Sequence, residues 1–130
     1  MSFLNNVKDD ESKKLLLIVE DQQGIIHLLK ELFAKDNLLI LHTTSGREAL
    51  ELISMKKPDL VLLDMKIPDM DGIELLKSLH KRSLDVKVIV MTAYSELDIV
   101  DEAKELGTIS FFSKPFDVSK LRLEVLKAIS

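Results

Sequence analysis

Five side chains that could take part in catalysis or metal binding follow the ends of apolar runs in this sequence. They are Glu20, Asp21, Asp64, Thr92 and Lys114. Three carboxylates, a hydroxyl and an ammonium can together bind a hard divalent cation and the oxygens of a phosphoryl group. If the runs form neighbouring parallel strands, their carboxyl ends meet at one edge of the sheet, so we expect these side chains to converge there.

The three carboxylates would repel one another unless a cation lies among them. Oxygen ligands favour Mg²⁺ (or Mn²⁺) over Zn²⁺, because the chain has no cysteine and its three histidines are scattered. The D-x-D-x-D-G pattern of a calcium loop is absent. We expect Asp21 and Asp64 to bind the cation, while Thr92 and Lys114 hold phosphoryl oxygens. Asp64 is the expected nucleophile, since carboxylates can form aspartyl phosphates.

Each of these residues also has an ordinary structural interpretation. Glu20 and Asp21 could be acids that stabilise a helix N-terminus. Thr92 could cap the following helix, and Lys114 could be a solvated surface charge. These interpretations do not readily explain why such groups follow the ends of four strands in one sequence.

The apolar pattern predicts the elements that would position these side chains. The predicted strands are 14–19, 38–42, 60–63, 86–91 and 109–112, and the predicted helices are 24–35, 47–55, 72–81, 96–106 and 118–129. Strands that alternate with helices indicate a doubly wound α/β domain, with a five-stranded parallel sheet and helices on both faces.

Length and composition limit the class of protein. The chain has 130 residues, the size of one ordinary domain, and its 46% apolar content indicates a folded globular protein. A net charge of −4 argues against nucleic acid or an anionic membrane as a partner. No run is long enough to span a membrane, and no signal peptide is recognisable. We expect a flexible tail at 1–13, one domain at 14–130 without an output domain, and a cytoplasmic location.

The motifs around these residues resemble those of the receiver domain of two-component response regulators. They are Val19-Glu20-Asp21, Leu62-Leu63-Asp64-Met65-Lys66-Ile67-Pro68, Met70-Asp71-Gly72, Met91-Thr92-Ala93 and Lys114-Pro115-Phe116. The resemblance extends over residues 14–129 and implies the flavodoxin-like receiver fold with strand order 2-1-3-4-5. Residues 21–25, 64–68 and 91–98 are similar to the stand-alone receivers of sporulation phosphorelays.

The resemblance implies a role for each residue of the expected metal site. Asp64 is the implied phosphoacceptor, and Asp21 is a direct ligand of Mg²⁺ (or Mn²⁺). Glu20, where the family more often has an aspartate, would act on the metal through water. The backbone carbonyl of Lys66 would complete the coordination.

Around the phosphoryl group, the resemblance implies that Thr92 and Lys114 bind its oxygens and that Lys114-Pro115 is a cis peptide. Phe111 takes the aromatic switch position, a departure from the histidine of the sporulation receivers. It would fill the space that Thr92 leaves when it moves towards the phosphoryl group.

Lys66 and Tyr94 lie two positions after Asp64 and Thr92, respectively. Long side chains at these positions could shield an acyl phosphate from attacking water. Our hypothesis is that they prolong the lifetime of the phosphoryl group, as a relay requires.

The implied function is to accept a phosphoryl group from a histidine kinase and relay it to a histidine phosphotransferase of the four-helix-bundle type. Such a protein, expected to be a monomer, would catalyse its own phosphorylation and slow dephosphorylation without being a conventional turnover enzyme. The expected docking rim comprises Gln22, Gly24, Ile25, Leu28, Pro68, Tyr94, Pro115 and Phe116. Ile25 and Leu28 fit a plain core position equally well.

Three alternative functions remain open at this point. A receiver of the chemotaxis type would bind a target without passing the phosphoryl group onward. A flavodoxin-like FMN module would need a Ser/Thr/Gly-rich phosphate loop where this chain has Glu20 and Asp21. A metal-dependent phosphohydrolase is disfavoured, because Lys66 stands where a second aspartate would be expected.

Overall fold

The computed structural model describes residues 13–93 and 97–130, apart from the side chains of residues 97 and 98. Most of the expected N-terminal tail, together with Tyr94, lies outside the described residues.

The described part of the chain forms a parallel five-stranded sheet with helices between its strands. The strands are β1 (Lys14–Val19), β2 (Leu38–Thr43), β3 (Leu60–Leu63), β4 (Val88–Thr92) and β5 (Ser110–Ser113). The helices are α1 (Gln23–Leu32), α2 (Gly46–Lys56), α3 (Gly72–Lys81), α4 (Leu97–Glu105) and α5 (Val118–Ile129). The strand order β2-β1-β3-β4-β5 confirms the doubly wound fold and the order that the resemblance implied.

The sheet is covered on both faces, which explains why its central strands are apolar throughout. In β1, Leu17 and Val19 face one hydrophobic cluster, which residues of α2 and α3 complete. Leu16 and Ile18 face the other cluster, which residues of α1 and α5 complete. Successive side chains of a strand point to opposite faces, so each central strand contributes to both clusters.

Several element boundaries differ from the predicted ones. Helix α1 ends at Leu32 rather than at residue 35, because the chain turns after Phe33 and Asn37 takes a positive φ of 54°. Strand β4 begins at Val88 rather than at Val86, whose side chain packs against the core outside the ladder. Apolar periodicity therefore identified packing correctly but not where strand pairing begins.

Two helices begin at a residue whose side chain caps them. The side chain of Ser45 accepts a hydrogen bond from the backbone of Glu48 at the start of α2. Asp117 accepts hydrogen bonds from two backbone N–H groups at the start of α5. Across residues 13–93 and 97–130, no helix is both long and apolar enough to cross a bilayer.

Candidate functional site at the carboxyl edge of the sheet

Backbone hydrogen bonds hold the strand ends side by side. The N–H of Asp64 donates to the carbonyl of Val19 at 2.9 Å, which fixes the end of β3 against the end of β1. The N–H of Lys114 donates to the carbonyl of Thr92 at 2.8 Å, which fixes the end of β5 against β4. The expected convergence of functional groups therefore follows from the parallel ladder.

Three carboxylates meet at this edge. One oxygen from each of Glu20, Asp21 and Asp64 lies within 4.8 Å of the other two. Glu20 is fully buried and Asp64 is only 3% exposed, whereas Asp21 is exposed to solvent. These three residues form an acidic pocket in which two carboxylates are buried and one is exposed.

The ammonium of Lys114 lies among these carboxylates. Its Nζ donates to Glu20 Oε1 at 2.6 Å and to Asp64 Oδ2 at 3.1 Å. It also donates to Gln22 Oε1 at 3.2 Å. The expectation that Lys114 shares the pocket with the acids is confirmed, but the contact with Gln22 was not predicted.

Burial and charge have opposing effects on the pKa values of Glu20 and Lys114. Burial raises the pKa of Glu20 above its ordinary value, although the hydrogen bonds from Lys114 and from the Gln22 backbone work against this. Burial alone would lower the pKa of Lys114, but its hydrogen bonds to Glu20 and Asp64 outweigh that effect and raise it. Lys114 is therefore firmly held as a cation.

The loop that follows Asp64 folds back against it. The backbone N–H of Lys66 donates to Asp64 Oδ1 at 3.0 Å, so both oxygens of the carboxylate accept hydrogen bonds. Lys66 also forms an isolated antiparallel bridge with Asp71, and the N–H of Gly72 donates to the carbonyl of Met65 at 2.9 Å. The backbone of Lys66 is consequently fixed beside the acidic pocket.

A family model described as the response regulator receiver domain matches residues 16–126. The chain belongs to the response regulator receiver family. Receiver domains bind a divalent cation at an acidic pocket, and they interact with histidine kinases and phosphotransferases. Membership of this family excludes the alternative of a flavodoxin-like FMN module.

Individual relatives agree with this assignment. The chain is 49% identical to "Sporulation initiation phosphotransferase F" of Bacillus subtilis (strain 168), across 86% of this chain and 90% of the relative. It is 37% identical to "Regulatory protein AtoC" of Escherichia coli (strain K12), of which it covers only 25%. A CheY-like receiver structure from Methanospirillum hungatei JF-1 superposes with a TM-score of 0.84 at 28% identity, covering 91% of this chain and 94% of the other.

The acidic pocket fits the divalent cation that receivers bind. Two of its three carboxylates are buried, and the one positive charge of Lys114 does not balance the three negative charges. A hard cation prefers such oxygen donors.

The remaining candidate residues lie around the pocket. Thr92 is fully buried at the end of β4, and Phe111 on β5 is partly buried and packs against the core cluster beside α2 and α3. The Lys114-Pro115 peptide is cis, as the resemblance implied. The roles assigned to Thr92 and Phe111 remain predictions.

Part of the expected docking rim lines one cleft of about 410 Å³ beside the pocket. Its lining residues are Gln22, Ile25, Leu28, Ala93, Lys114, Pro115 and Phe116. Leu28 is 39% exposed and Ile25 is half-buried, whereas Ile26 and Leu29 carry the buried face of α1. Gly24 and Pro68 are exposed but do not line this cleft.

One residue that contributes to the geometry of the site escaped the sequence analysis. Asp69, at the tip of the loop after β3, accepts hydrogen bonds from the start of α2. Its partners lie more than 20 positions earlier in the chain, so no local pattern links them. The sequence offered one indication of its role, namely that Asp69 is an acid in the same loop as a proposed metal ligand.

Proposed function

We propose that this chain accepts a phosphoryl group on Asp64 from the phosphohistidine of a histidine kinase and relays it to a histidine phosphotransferase. The observation that carries the proposal is the position of the Asp64 carboxylate, which directly follows β3, lies in an acidic pocket and accepts a hydrogen bond from Lys114. Similarity to a protein named as a sporulation phosphotransferase supports the relay over terminal output.

The proposed reaction is a direct displacement at phosphorus. A carboxylate oxygen of Asp64 bonds to phosphorus while the N–P bond of the phosphohistidine breaks. The imidazole nitrogen keeps the electron pair of that bond and takes up a proton. Onward transfer runs the same displacement in reverse, with the imidazole of the phosphotransferase as the attacking group.

Lys114 and Thr92 would hold the phosphoryl oxygens. The ammonium of Lys114 already donates to Asp64 Oδ2, so oxygens of a phosphoryl group attached to Asp64 would lie within its reach. Thr92 ends the strand next to Asp64 and is fully buried, so its hydroxyl would act without competition from bulk water. Fixed donors of this kind stabilise charge that develops during transfer.

Asp21, Asp64 and the backbone carbonyl of Lys66 would hold Mg²⁺ (or Mn²⁺), with Glu20 acting through water. The cation would neutralise negative charge on the phosphoryl oxygens. The chain itself prepares this site, because the hydrogen bond from the Lys66 N–H to Asp64 Oδ1 sets the course of the loop backbone next to the acids.

The cleft beside Lys114 would receive a helix of the partner protein. Ile25, Leu28 and Phe116 present apolar surface there, and Lys114 lies at the inner end next to Asp64. An apolar groove that leads to the reacting carboxylate suits an amphipathic helix that carries the reacting histidine.

The test compares Asp64→Asn with Asp59→Asn, a matched change in the loop just before β3, at the opposite edge of the sheet. Both proteins are incubated with Mg²⁺ and phosphoramidate, a small donor that contains an N–P bond. Wild type and Asp59→Asn should gain the mass of one phosphoryl group, and Asp64→Asn should not. Undiminished labelling of Asp64→Asn would remove Asp64 from its role.

The second stage separates relay from terminal output. Phosphorylated protein is freed of donor and mixed with purified four-helix-bundle histidine phosphotransferases. The relay predicts that label moves to the phosphotransferase and leaves the receiver. Stable binding to a target without transfer of label would favour the chemotaxis-type output instead.

A further inference from the structure

We propose that Asp69 is a positioning residue for the metal site, because it binds the start of α2 and so holds the 66–71 loop with the Lys66 backbone beside Asp64. This inference rests on the proposed function, in which the Lys66 carbonyl is a metal ligand. Asp69 itself lies at the tip of the loop and belongs to none of the proposed ligand sets.

Asp69 makes an unusually complete set of contacts for an exposed side chain. Its Oδ1 accepts from the backbone N–H of Gly46 at 2.8 Å, and its Oδ2 accepts from the Ser45 hydroxyl at 2.8 Å and from the Arg47 N–H at 3.2 Å. The Gly46 hydrogen bond is the largest of the effects that lower the pKa of Asp69. The ionised carboxylate therefore belongs to the folded structure.

The loop and α2 are also in close steric contact at this point. A Cβ added to Gly46 would lie 2.7 Å from Cβ of Met70 and 3.0 Å from Cδ1 of Ile67. Ile67 is buried in the same core cluster as residues of α2. Position 46 must therefore be glycine for the loop to lie this close to the N–H groups that Asp69 binds.

The other end of the loop leads directly to the site. Lys66 donates its N–H to Asp64 Oδ1 at 3.0 Å and bridges to Asp71, which caps α3. The loop is thus held at its base by backbone contacts and at its tip by Asp69. Loss of the tip contact would let the loop sample other conformations, in which the Lys66 backbone is no longer fixed beside Asp64.

Charge makes the tip contact stronger than an ordinary cap. The ionised carboxylate of Asp69 meets two backbone N–H groups of the first turn of α2, where the helix dipole favours negative charge. A ligand that is already fixed before the cation arrives binds it more tightly, because less ordering remains to be done.

The test uses Asp69→Ala and Asp69→Asn, with Asp59→Ala as the matched control. Asp59 is also an aspartate that accepts a backbone N–H, from Leu15 at 2.7 Å, but it lies at the opposite edge of the sheet. The first readout is amide hydrogen exchange of Lys66 in metal-free protein. The second is the Kd for Mg²⁺ from calorimetry.

Asp69→Ala should speed exchange at Lys66 about fivefold, the factor that corresponds to losing a typical cap, and should weaken Mg²⁺ binding several-fold. Asp69→Asn, which keeps one acceptor oxygen, should lie between it and wild type. Asp59→Ala should lower stability without changing either readout. If Asp69→Ala resembles Asp59→Ala in both readouts, Asp69 is a structural cap and the proposal is overturned.

The two readouts also distinguish failure of this inference from failure of the proposed function. Equal Mg²⁺ affinity in wild type and Asp64→Asn would refute the proposed metal site, whatever Asp69 does. The positioning role alone would be overturned by a different pair of results. Asp64→Asn would lose Mg²⁺ binding, whereas Asp69→Ala would exchange faster at Lys66 and keep the wild-type Kd for Mg²⁺.

Discussion

Removing the charge of Asp21 should stabilise the metal-free protein. Its carboxylate lies within 4.8 Å of oxygens of both Glu20 and Asp64, and the ammonium of Lys114 forms ion pairs with those two buried acids. Asp21→Asn keeps the shape of the side chain and removes one of three mutually repelling charges. The same change takes away a ligand that the metal site is proposed to use.

The magnitude follows from the distances. Two unit charges 4.8 Å apart repel by about 0.9 kcal/mol in water and by about 3.5 kcal/mol at an effective dielectric constant of about 20. Asp21 is exposed, so the lower value applies, and its two close pairs give about 2 kcal/mol. Asp21 lies just before α1, whose dipole offsets about 0.3–1 kcal/mol of this, and Lys114 offsets a further part.

A net stabilisation of about 1 kcal/mol is therefore expected in EDTA, or about 3 °C in Tm for a domain of this size. In wild type, Mg²⁺ at a hundredfold excess over its Kd should add about 2.7 kcal/mol, whereas Asp21→Asn should gain much less. The difference between the two proteins should therefore reverse sign as Mg²⁺ is added.

Urea unfolding in EDTA and at increasing Mg²⁺ measures both effects. Glu51→Gln, an exposed acid on α2 that does not belong to the acidic pocket, controls for the change in net charge. It should stay within about 0.5 kcal/mol of wild type and respond to Mg²⁺ as wild type does. If Asp21→Asn is no more stable than wild type in EDTA, or gains as much from Mg²⁺, the electrostatic reasoning is wrong.

Three further predictions concern the surroundings of the site. Lys66→Ala and Tyr94→Ala should each shorten the lifetime of the acyl phosphate, followed as loss of label after donor removal; decay at the wild-type rate in both variants would refute the shielding hypothesis. The backbone hydrogen bond from Gly46 is the first cause of the lowered pKa of Asp69 in the folded protein. The ionised carboxylate therefore contributes stability above pH 3.8, the ordinary pKa of an aspartate, and this contribution is lost as the pH falls through the lower pKa of the folded state. Urea unfolding should show that stability falls more steeply with acid in wild type than in Asp69→Asn. Gly72→Ala should destabilise the protein by about 2 kcal/mol or more in urea unfolding, because the added Cβ would lie 2.7 Å from the backbone of the loop. Gly24→Ala should stabilise it by about 1 kcal/mol, because nothing lies within 4 Å of the added Cβ and alanine favours a helix over glycine. Similar effects of the two substitutions would contradict this packing.

The sequence predicted the sheet and the acids of the site for one physical reason. Strands buried on both faces must be apolar along their whole length, so a carboxylate such as Asp64 marks where the strand ends. Once parallel pairing is assumed, the ends of the strands have to meet at one edge, and Glu20, Asp64 and Lys114 have to converge. No knowledge of side-chain conformation was needed for these steps.

Contacts between residues distant in sequence could not be predicted in the same way. Gln22 was assigned to the docking rim, but its amide oxygen also accepts a hydrogen bond from Lys114, 92 positions later. Asp69 binds the start of α2 only because the loop closes over Gly46. Both contacts depend on the exact course of a loop, for which hydrophobic periodicity carries no information.

The ammonium of Lys114 links phosphorylation to cation binding. In the structure described here it compensates two buried carboxylates at once, Glu20 and Asp64. A phosphoryl group on Asp64 would draw the ammonium towards its own oxygens and away from Glu20, which is fully buried. A buried carboxylate that loses its counter-ion is costly, so the negative charge of Glu20 would then favour another cation in the same pocket. We therefore expect a divalent cation to bind the phosphorylated protein more tightly than the unphosphorylated one.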